Sequence, residues 1–429
     1  MVEFQLTKNQ QQIYDAVEGS NNCILIHGKP GVGKSVLIRA LRDTGAKHYT
    51  LGAPTGLAAL NIGGKTLHAL FGITPSAGII TKDYNRFTTN PNVRNNILHS
   101  IKHLIIDEIS MVRVDVFEYI DRVLRDVKGN DLPFGGIQVV VVGDFFQLPP
   151  VVMTADRKAL KAEGWENEFA FCSPLFKLFE KHSLDEVLRQ KGDDKFIKML
   201  HASRTGDMTA EQLKYLNSRV EPCTDFRIQL TGTNKKADYT NQLHLSKIDG
   251  PVKEYHADSY GVWPAFPAET VLSLKVGAQV LVKKNNADKS PQQKEPASGK
   301  VVNGSIGIVR EISDTIIKVE LDCGTVVPIY RARWEQKIRE KIGDKWSEKV
   351  TASFEQFPLQ LAWAISMHKS QGQSFESVHI DPSQIFAAGQ LYVALSRSRS
   401  HKGLSLESPA SKSKFWADKS VVKFVNTIE

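Results

Sequence analysis

Four cysteines in 429 residues leave little material for a disulfide framework. Cys23, Cys172, Cys223 and Cys323 lie far apart, form no CxxC pair and meet no histidine at zinc spacing. A stapled secreted scaffold and a zinc finger are excluded, and buried or free thiols in a reducing cytoplasm are expected. No apolar run reaches the roughly 18 residues of a membrane span. Met1-Val2-Glu3-Phe4-Gln5-Leu6 lacks the basic, apolar, small-residue order of a secretory signal. An excess of one charge is missing too, since 55 Lys plus Arg against 47 Asp plus Glu leave a net +8. That tilts toward a polyanionic partner only slightly. Internal repeats and long low-complexity tracts are also absent. With 41% hydrophobic and 24% charged residues the chain has an ordinary globular mixture. At roughly 100–200 residues per domain, two to four compact units are expected.

Apolar patterning points to an α/β fold. Cys23-Ile24-Leu25-Ile26, His103-Leu104-Ile105-Ile106 and Val139-Val140-Val141-Val142 are short runs without polar alternation. Strands buried on both faces of a parallel sheet read this way. Val116, Ile120, Val123 and Val127 recur near helical spacing. Residues 72–97 break the pattern with Gly, Pro, Ser, Thr and Asn, an excursion from the sheet. Helix-like segments follow from about residue 180, and Arg227-Ile228-Gln229-Leu230 is a further strand candidate. Within 271–330, Ala278 to Val282, Ser305 to Val309, Ile316 to Leu321 and Thr325 to Ile329 predict a small antiparallel barrel. Its Lys283 to Lys300 connection is polar, Lys- and Pro-bearing, and expected to be a mobile loop. Trp334, Ile338 and Ile342 recur every four residues and predict an amphipathic helix.

Gly28-Lys29-Pro30-Gly31-Val32-Gly33-Lys34-Ser35 fits GxxxxGK[ST] between an apolar strand and a helix. Its glycines let backbone N–H groups face phosphates, Lys34 offers a point charge, and Ser35 can ligate Mg²⁺. Leu104-Ile105-Ile106-Asp107-Glu108 is a buried strand ending in two carboxylates. Asp107 would hold Mg²⁺ through water, and Glu108 would orient and deprotonate the attacking water. Adjacent acids could also simply offset a helix dipole. Together the two motifs indicate an ATP- or GTP-hydrolysing enzyme. Gln147, in Gly143-Asp144-Phe145-Phe146-Gln147-Leu148-Pro149-Pro150, could report loss of the γ-phosphate or be an ordinary polar loop residue.

Further strings join these. They are Ala53-Pro54-Thr55-Gly56-Leu57-Ala58-Ala59, Asn61-Ile62-Gly63-Gly64-Lys65-Thr66-Leu67-His68, Ile109-Ser110-Met111-Val112 after the acids, and Pro133-Phe134-Gly135-Gly136. His368-Lys369-Ser370-Gln371-Gly372-Gln373 and Tyr392-Val393-Ala394-Leu395-Ser396-Arg397 complete the series. In this order they resemble the Pif-type DNA helicases of superfamily one, densely over residues 6–150 and sparsely over 180–400. The resemblance implies two RecA-like parallel-sheet motor domains with a small wedge insertion and a small β-barrel insertion. It implies residues 1–180 as the first motor domain, with the 72–97 wedge. Residues 181–250 and 355–429 would form the second, with 251–354 the inserted β-barrel domain.

The same resemblance implies 5′-to-3′ translocation on single-stranded DNA driven by ATP with Mg²⁺. Gln10 would read the adenine edge, Gln147 would sense the γ-phosphate, and Arg189 and Arg397 would be arginine fingers. Arg399 is a nearby decoy, expected to be a solvated base. Pro54, Thr55, Thr66 and His68 in the first domain, and Thr231, Asn234, His368 and Lys369 in the second, match DNA contacts. Phe71, Tyr84 and Phe87 could stack on bases or simply pack. Lys283, Lys284, Lys289, Lys294 and Lys300 could meet nucleic acid or be solvated charges. Val32 departs from the family's usual Thr or Ser. Single-stranded and forked DNA are the expected partners of an intracellular, cytoplasmic, monomeric, minimal core that needs no membrane. Alternatives are a RecD-like translocase subunit of a recombination nuclease and a non-enzymatic nucleic-acid binder with a degenerate site.

Overall fold

Six parallel strands, β1 (Ile24–Gly28), β2 (Tyr49–Ala53), β3 (Lys65–Thr66), β4 (His103–Ile106), β5 (Gln138–Gly143) and β6 (Glu180–Leu184), pair in the order β3-β2-β4-β5-β1-β6. The structure, a computed structural model, describes residues 5–73, 78–80, 97–186, 192–224, 227–263, 266–285, 287–289, 301, 303–342 and 345–428. Consecutive residues of the central strands serve different cores. Ile24, Ile26, Ile105, Val140 and Val142 join one apolar cluster. Leu25, Leu104, Ile106, Val139 and Val141 join another. Apolar side chains on both faces explain the missing polar alternation. The first cluster is closed by α1 (Lys8–Gly19), α2 (Lys34–Thr44) and α3 (Gly56–Ile62). The second takes residues from α4 (Leu67–Phe71) and α5 (Val114–Lys128), whose Val116, Ile120, Val123 and Val127 are buried as their spacing predicts. Two further helices are α6 (Thr154–Ala162) and α7 (Asp194–Thr205).

The chain forms two compact units, one of residues Met1–Ala210, Ala387–Ser396 and Lys412–Glu429, the other of Glu211–Phe386 and Arg397–Ser411. The first unit therefore extends past the expected end at residue 180. β6 pairs with β1 from Ile24↔Glu180 to Gly28↔Leu184, so it belongs to the first sheet. It is an edge strand with exposed Glu180 and Lys181, and it lacks the apolar run that marks the central strands.

In the second unit, α8 (Ala210–Asn217) spans the boundary and leads to β7 (Ile228–Thr231) and α9 (Asn234–Ser246). Then come β8 (Lys253–His256), β9 (Asp258–Tyr260), β10 (Val271–Leu274), β11 (Gln279–Val282), β12 (Ile306–Ile312), β13 (Ile316–Leu321) and β14 (Val326–Tyr330). They are followed by β15 (Ala332–Ile342), β16 (Lys345–Gln356), β17 (Leu359–Leu361), β18 (Ala364–Ser366), α10 (Met367–Ser370), β19 (Val378–Ile380) and β20 (Leu404–Leu406). A parallel sheet runs β18-β7-β19-β20. The expected antiparallel insertion is a sheet in the order β14-β13-β12-β11-β17 over a core that includes Val280, Val309, Val319 and Phe357.

The helix expected from Trp334, Ile338 and Ile342 is instead a strand: β15 pairs with β16 in a hairpin from Ala332↔Gln356 to Ile342↔Lys345. A four-residue interval is close to one helical turn but is also twice the strand period, so that spacing could not discriminate. Most of the 72–97 excursion, including Tyr84 and Phe87, lies outside the described residues, as do Arg189, Lys294 and Lys300. Phe71 is fully buried in the first unit's core and has no free face for a base. The first unit is completed by α11 (Gln390–Leu395) and α12 (Lys419–Val425), which contribute Tyr392, Val421 and Val425 to that core. Among the described residues no helix is long and apolar enough to cross a membrane.

Candidate active site

β1 runs out at Gly28, and the loop that follows re-enters helix at Lys34. The turn needs left-handed backbone at Gly31 (φ 81°) and Gly33 (φ 83°), where a side chain would be strained. Gly33 caps α2 with no side-chain acceptor, and the helix N-terminus carries a partial positive charge. The Lys34 ammonium donates to the carbonyls of Gly28 at 2.6 Å and Lys29 at 2.9 Å. Ser35 is the next residue of the same turn. Val32 is 1% exposed and packs into the apolar cluster.

Gln10 connects α1 to this loop. Its Oε1 accepts from the Thr7 N–H at 3.0 Å, completing a capping box, and its Nε2 donates to the Val32 carbonyl at 3.0 Å. Each end of the amide uses one of its two valences this way, leaving one acceptor and one donor side by side.

The acids sit two strands away, at the end of β4. The Asp107 carboxylate accepts the Glu108 N–H at 2.9 Å, and Glu108 adopts a left-handed backbone (φ 52°, ψ 47°). For a residue with a side chain that conformation costs about 1–2 kcal/mol, and here it turns the second acid out of the strand. Burial, then the neighbouring Glu108, raises the Asp107 carboxyl above the ordinary range, while Lys34 opposes them. β5, between β4 and β1, ends at Gly143 and turns through Gln147, whose N–H donates to the Asp144 carbonyl at 2.9 Å. Lys34, Asp107, Glu108 and Gln147 therefore stand at the same end of three adjacent strands. A hydroxyl and a carboxylate are hard oxygen donors of the kind Mg²⁺ takes, one or two from protein and the rest from water and phosphate. Among the described residues no group of three or more His, Cys, Asp or Glu forms a closed metal site.

Arg397 belongs to the second unit. It is 2% exposed, with its guanidinium on the carbonyls of Ser370 at 3.3 Å and Gln373 at 3.1 Å. Arg399 is exposed and paired with Glu376, as expected of a solvated base.

The DNA-contact candidates fall into two groups of similar build. In the first unit Ala53 of β2 lies beside Thr66 of β3. Pro54 and Thr55 follow β2, Thr55 caps α3, Thr66 caps α4, and His68 lies on α4. In the second unit Thr231 of β7 lies beside Ser366 of β18. Asn234 opens α9, and its amide oxygen accepts from the Ser366 hydroxyl. Ser366 caps α10, which carries His368 and the exposed Lys369. Burial lowers both imidazoles, His68 also through Arg113, which favours their neutral forms. Thr231 is buried and donates to the carbonyls of Thr233 and Ile365, a structural part in this arrangement. Beside Lys369 lies a cavity of about 270 Å³ with Asn241, Glu269, Ser273 and Gln360 in its wall.

Sequence reasoning missed a buried polar group in the first unit. Asp144, 0% exposed, accepts from Arg204 Nε at 3.3 Å and from the Tyr392 hydroxyl at 3.0 Å. Arg204 also contacts His27 Nε2 at 2.7 Å. Burial would raise the Asp144 carboxyl, but Arg204, His27 and Lys34 hold it below the ordinary value. Asp144 and Tyr392 stand inside strings already singled out, which was the one available signal. The Pro133-Phe134-Gly135-Gly136 string proves to be a tight turn with Phe134 at φ 53°, its N–H held by Asp121.

A profile of the PIF1-like helicase family matches residues 5–214. The ATP-dependent DNA helicase Pif1 of Bdellovibrio bacteriovorus is 31% identical over 417 residues, covering 94% of this chain and 88% of that protein. The PIF1 helicase of Danio rerio is 34% identical over 415 residues, 93% of this chain. This chain spans about 60% of the length of that relative. The crystal structure of a Bacteroides Pif1 with ADP-AlF4 superposes with a TM-score of 0.86 at 32% identity, covering 99% of this chain and 97% of that one.

Proposed function

The chain belongs to the PIF1-like helicase family, and on that premise we propose that it is an ATP-dependent DNA helicase moving 5′-to-3′ on single-stranded DNA. The observation that carries the ATPase half is the placing of the phosphate loop, the acidic pair and Gln147 at one end of β1, β4 and β5. In this reading phosphate oxygens bind the α2 N-terminus and Lys34. Ser35 and Asp107 would hold Mg²⁺, which would supply charge neutralisation to the phosphates. Glu108 orients the attacking water and takes its proton on the carboxylate. Gln147 senses the γ-phosphate, Gln10 offers its remaining N–H and lone pair to adenine, and Arg189 and Arg397 act as arginine fingers.

The recurrence of hydroxyl-capped turns at the ends of β2/β3 and β7/β18 supports a grip on DNA in each unit. Hydroxyls, amides and neutral imidazoles bind sugar and phosphate without reading bases. A Bacteroides Pif1 has been crystallised with single-stranded DNA, and two coordinating Pif1 helicases have been described at forked duplex. Both substrate forms are proposed for this chain. ATP turnover with and without single-stranded DNA, and unwinding of forks bearing only a 5′ or only a 3′ tail, test the proposal. Strong stimulation and unwinding of the 5′-tailed fork alone are expected. DNA-insensitive hydrolysis, or preference for the 3′ tail, would refute it.

A further inference from the structure

Helix α11 is pressed onto the sensor turn. At Gly389, its N-cap (φ 69°), an added Cβ would fall 2.1 Å from the Phe146 carbonyl oxygen and 3.0 Å from that of Gln147. One turn further along, the Tyr392 hydroxyl donates to Asp144 Oδ2 at 3.0 Å. Asp144 in turn organises the sensor turn. Its Oδ1 accepts the Phe146 N–H at 3.2 Å and its carbonyl accepts the Gln147 N–H at 2.9 Å. Arg204 closes the arrangement, with Nε on Asp144 and its guanidinium carbon 4.2 Å from the centroid of the Phe146 ring. Its Nη2 lies 2.7 Å from Nε2 of His27, the residue before the phosphate loop.

The far end of α11 leads directly into Arg397. Arg397 is held by α10 and the turn after it, through the carbonyls of Ser370 and Gln373, and its own carbonyl accepts the Phe375 N–H at 3.0 Å. One short stretch of chain is therefore gripped at its start by the Gln147 turn and at its end by the segment carrying His368 and Lys369. A buried ion pair is weak evidence for stability in itself, since apolar residues can fill such a site as well. Its value here is geometric, because Arg204 and Tyr392 fix the Asp144 carboxylate, whose Oδ1 in turn holds the Phe146 N–H of the turn.

We infer that Asp144, Arg204 and Tyr392 form a latch that couples the position of Gln147 to α11, and through it to Arg397 and the α10 segment. They are positioning residues for hydrolysis, acting through Gln147 and Arg397. The inference rests on the roles proposed above for those two residues.

The test uses the full chain and three variants. Tyr392→Phe removes one hydroxyl from the latch. Gly389→Ala pushes the helix off the turn. Lys34→Ala reports on the nucleotide site independently. Steady-state ATP hydrolysis is measured with and without an oligothymidine strand, together with DNA affinity and thermal melting. Tyr392→Phe should lower the DNA-stimulated kcat about tenfold, the size expected when a buried carboxylate loses one donor. KM for ATP, DNA affinity and melting temperature should stay within about twofold or a few degrees of the parent. Gly389→Ala should show the same split more strongly. If Tyr392→Phe keeps the parental stimulated kcat while Lys34→Ala is inactive, the latch is wrong and the nucleotide site stands. A loss in Tyr392→Phe that follows melting temperature and KM together would make the group structural and overturn the inference. An active Lys34→Ala would overturn the site reading and the latch with it.

Discussion

Replacing Gln10 by alanine separates two roles that one side chain combines. The amide lies 1% exposed between the Thr7 N–H and the Val32 carbonyl. Removing it breaks a capping box, a loss of about 1 kcal/mol. It also leaves the buried Val32 carbonyl without a donor, which costs about 1–3 kcal/mol more. The sum is about 2–4 kcal/mol, and a unit of this size shifts by roughly 2–4 °C per kcal/mol. Melting without nucleotide should therefore fall by about 5–15 °C. The same variant should lose preference for ATP over GTP, measured as the ratio of kcat/KM for the two. Gln10→Glu is the control. It keeps an acceptor for Thr7 while setting a second oxygen against the Val32 carbonyl, so it too should melt lower. Melting of Gln10→Ala at the parental temperature would refute the bridge between α1 and the phosphate loop. An unchanged nucleotide ratio would refute the adenine role and leave the bridge standing.

Val32→Thr places a hydroxyl in an apolar cluster, so melting should drop by the equivalent of about 1–2 kcal/mol with no gain in ATP turnover. A faster or more stable variant would show that the loop's chemistry, not packing, decides this position. Asp121→Ala removes the acceptor that holds the Phe134 N–H and pairs with Arg125 at 2.7 Å. A loss of about 2–4 kcal/mol in urea unfolding is expected, and a change under about 0.5 would dismiss the pinned turn. His68 and His368 have folded pKa values below the unfolded value of about 6.5, because burial disfavours the cation. On acidification the unfolded chain takes up protons first. The contribution to stability is constant above the unfolded pKa and shrinks as pH falls through it. A His68→Gln, His368→Gln double variant should therefore lose less melting temperature than the parent between about pH 7.5 and 5.5. An equal or steeper loss would contradict the burial argument.

The parts of the fold legible in the sequence were those under one strong constraint. Strands β1, β4 and β5 carry apolar side chains into two cores, so their runs could hardly be anything else. Helix α5 buries Val116, Ile120, Val123 and Val127 at helical spacing and is equally plain. Edge strand β6 buries little, and its Glu-Lys-His-Ser sequence gives no pattern to read. In the β15 hairpin the four-residue spacing fits both periods, and only pairing with β16 decides between them. Much the same division holds for the site. Lys34, Ser35, Asp107 and Glu108 are adjacent in sequence to the backbone that positions them, and short motifs suffice. Gln10 is singled out by the family strings alone, since three consecutive glutamines on a helix look like surface. The latch could not be read at all. Tyr392 and Asp144 are 248 residues apart, and Arg204 lies 60 from Asp144 and 177 from His27. Nothing local marks their meeting.

That separation follows from how the first unit is assembled. Its sheet is complete by Leu184, yet its core is not. Phe424 stacks on Phe171 with ring centroids 4.4 Å apart and meets Phe145 edge-on at 5.1 Å, two residues before Gln147 in the turn after β5. Val421 and Val425 fill the same cluster. This aromatic layer is thus made of residues near 145, 171 and 424, and loop closure over some 250 residues must precede its packing. A compact unit interrupted twice in this way cannot settle its last contacts until the second unit's chain has been threaded out and back. The two returning stretches differ in what they bring. Residues 412–429 add aromatic and apolar mass to the core, whereas 387–396 add a glycine pressed on two carbonyls and a tyrosine hydroxyl on a carboxylate. Apolar mass can be exchanged for other mass of similar volume, but a hydroxyl at 3.0 Å from a buried carboxylate fixes a direction. The stretch that continues into Arg397 is the one held by direction rather than by bulk, which is the property a positioning element needs.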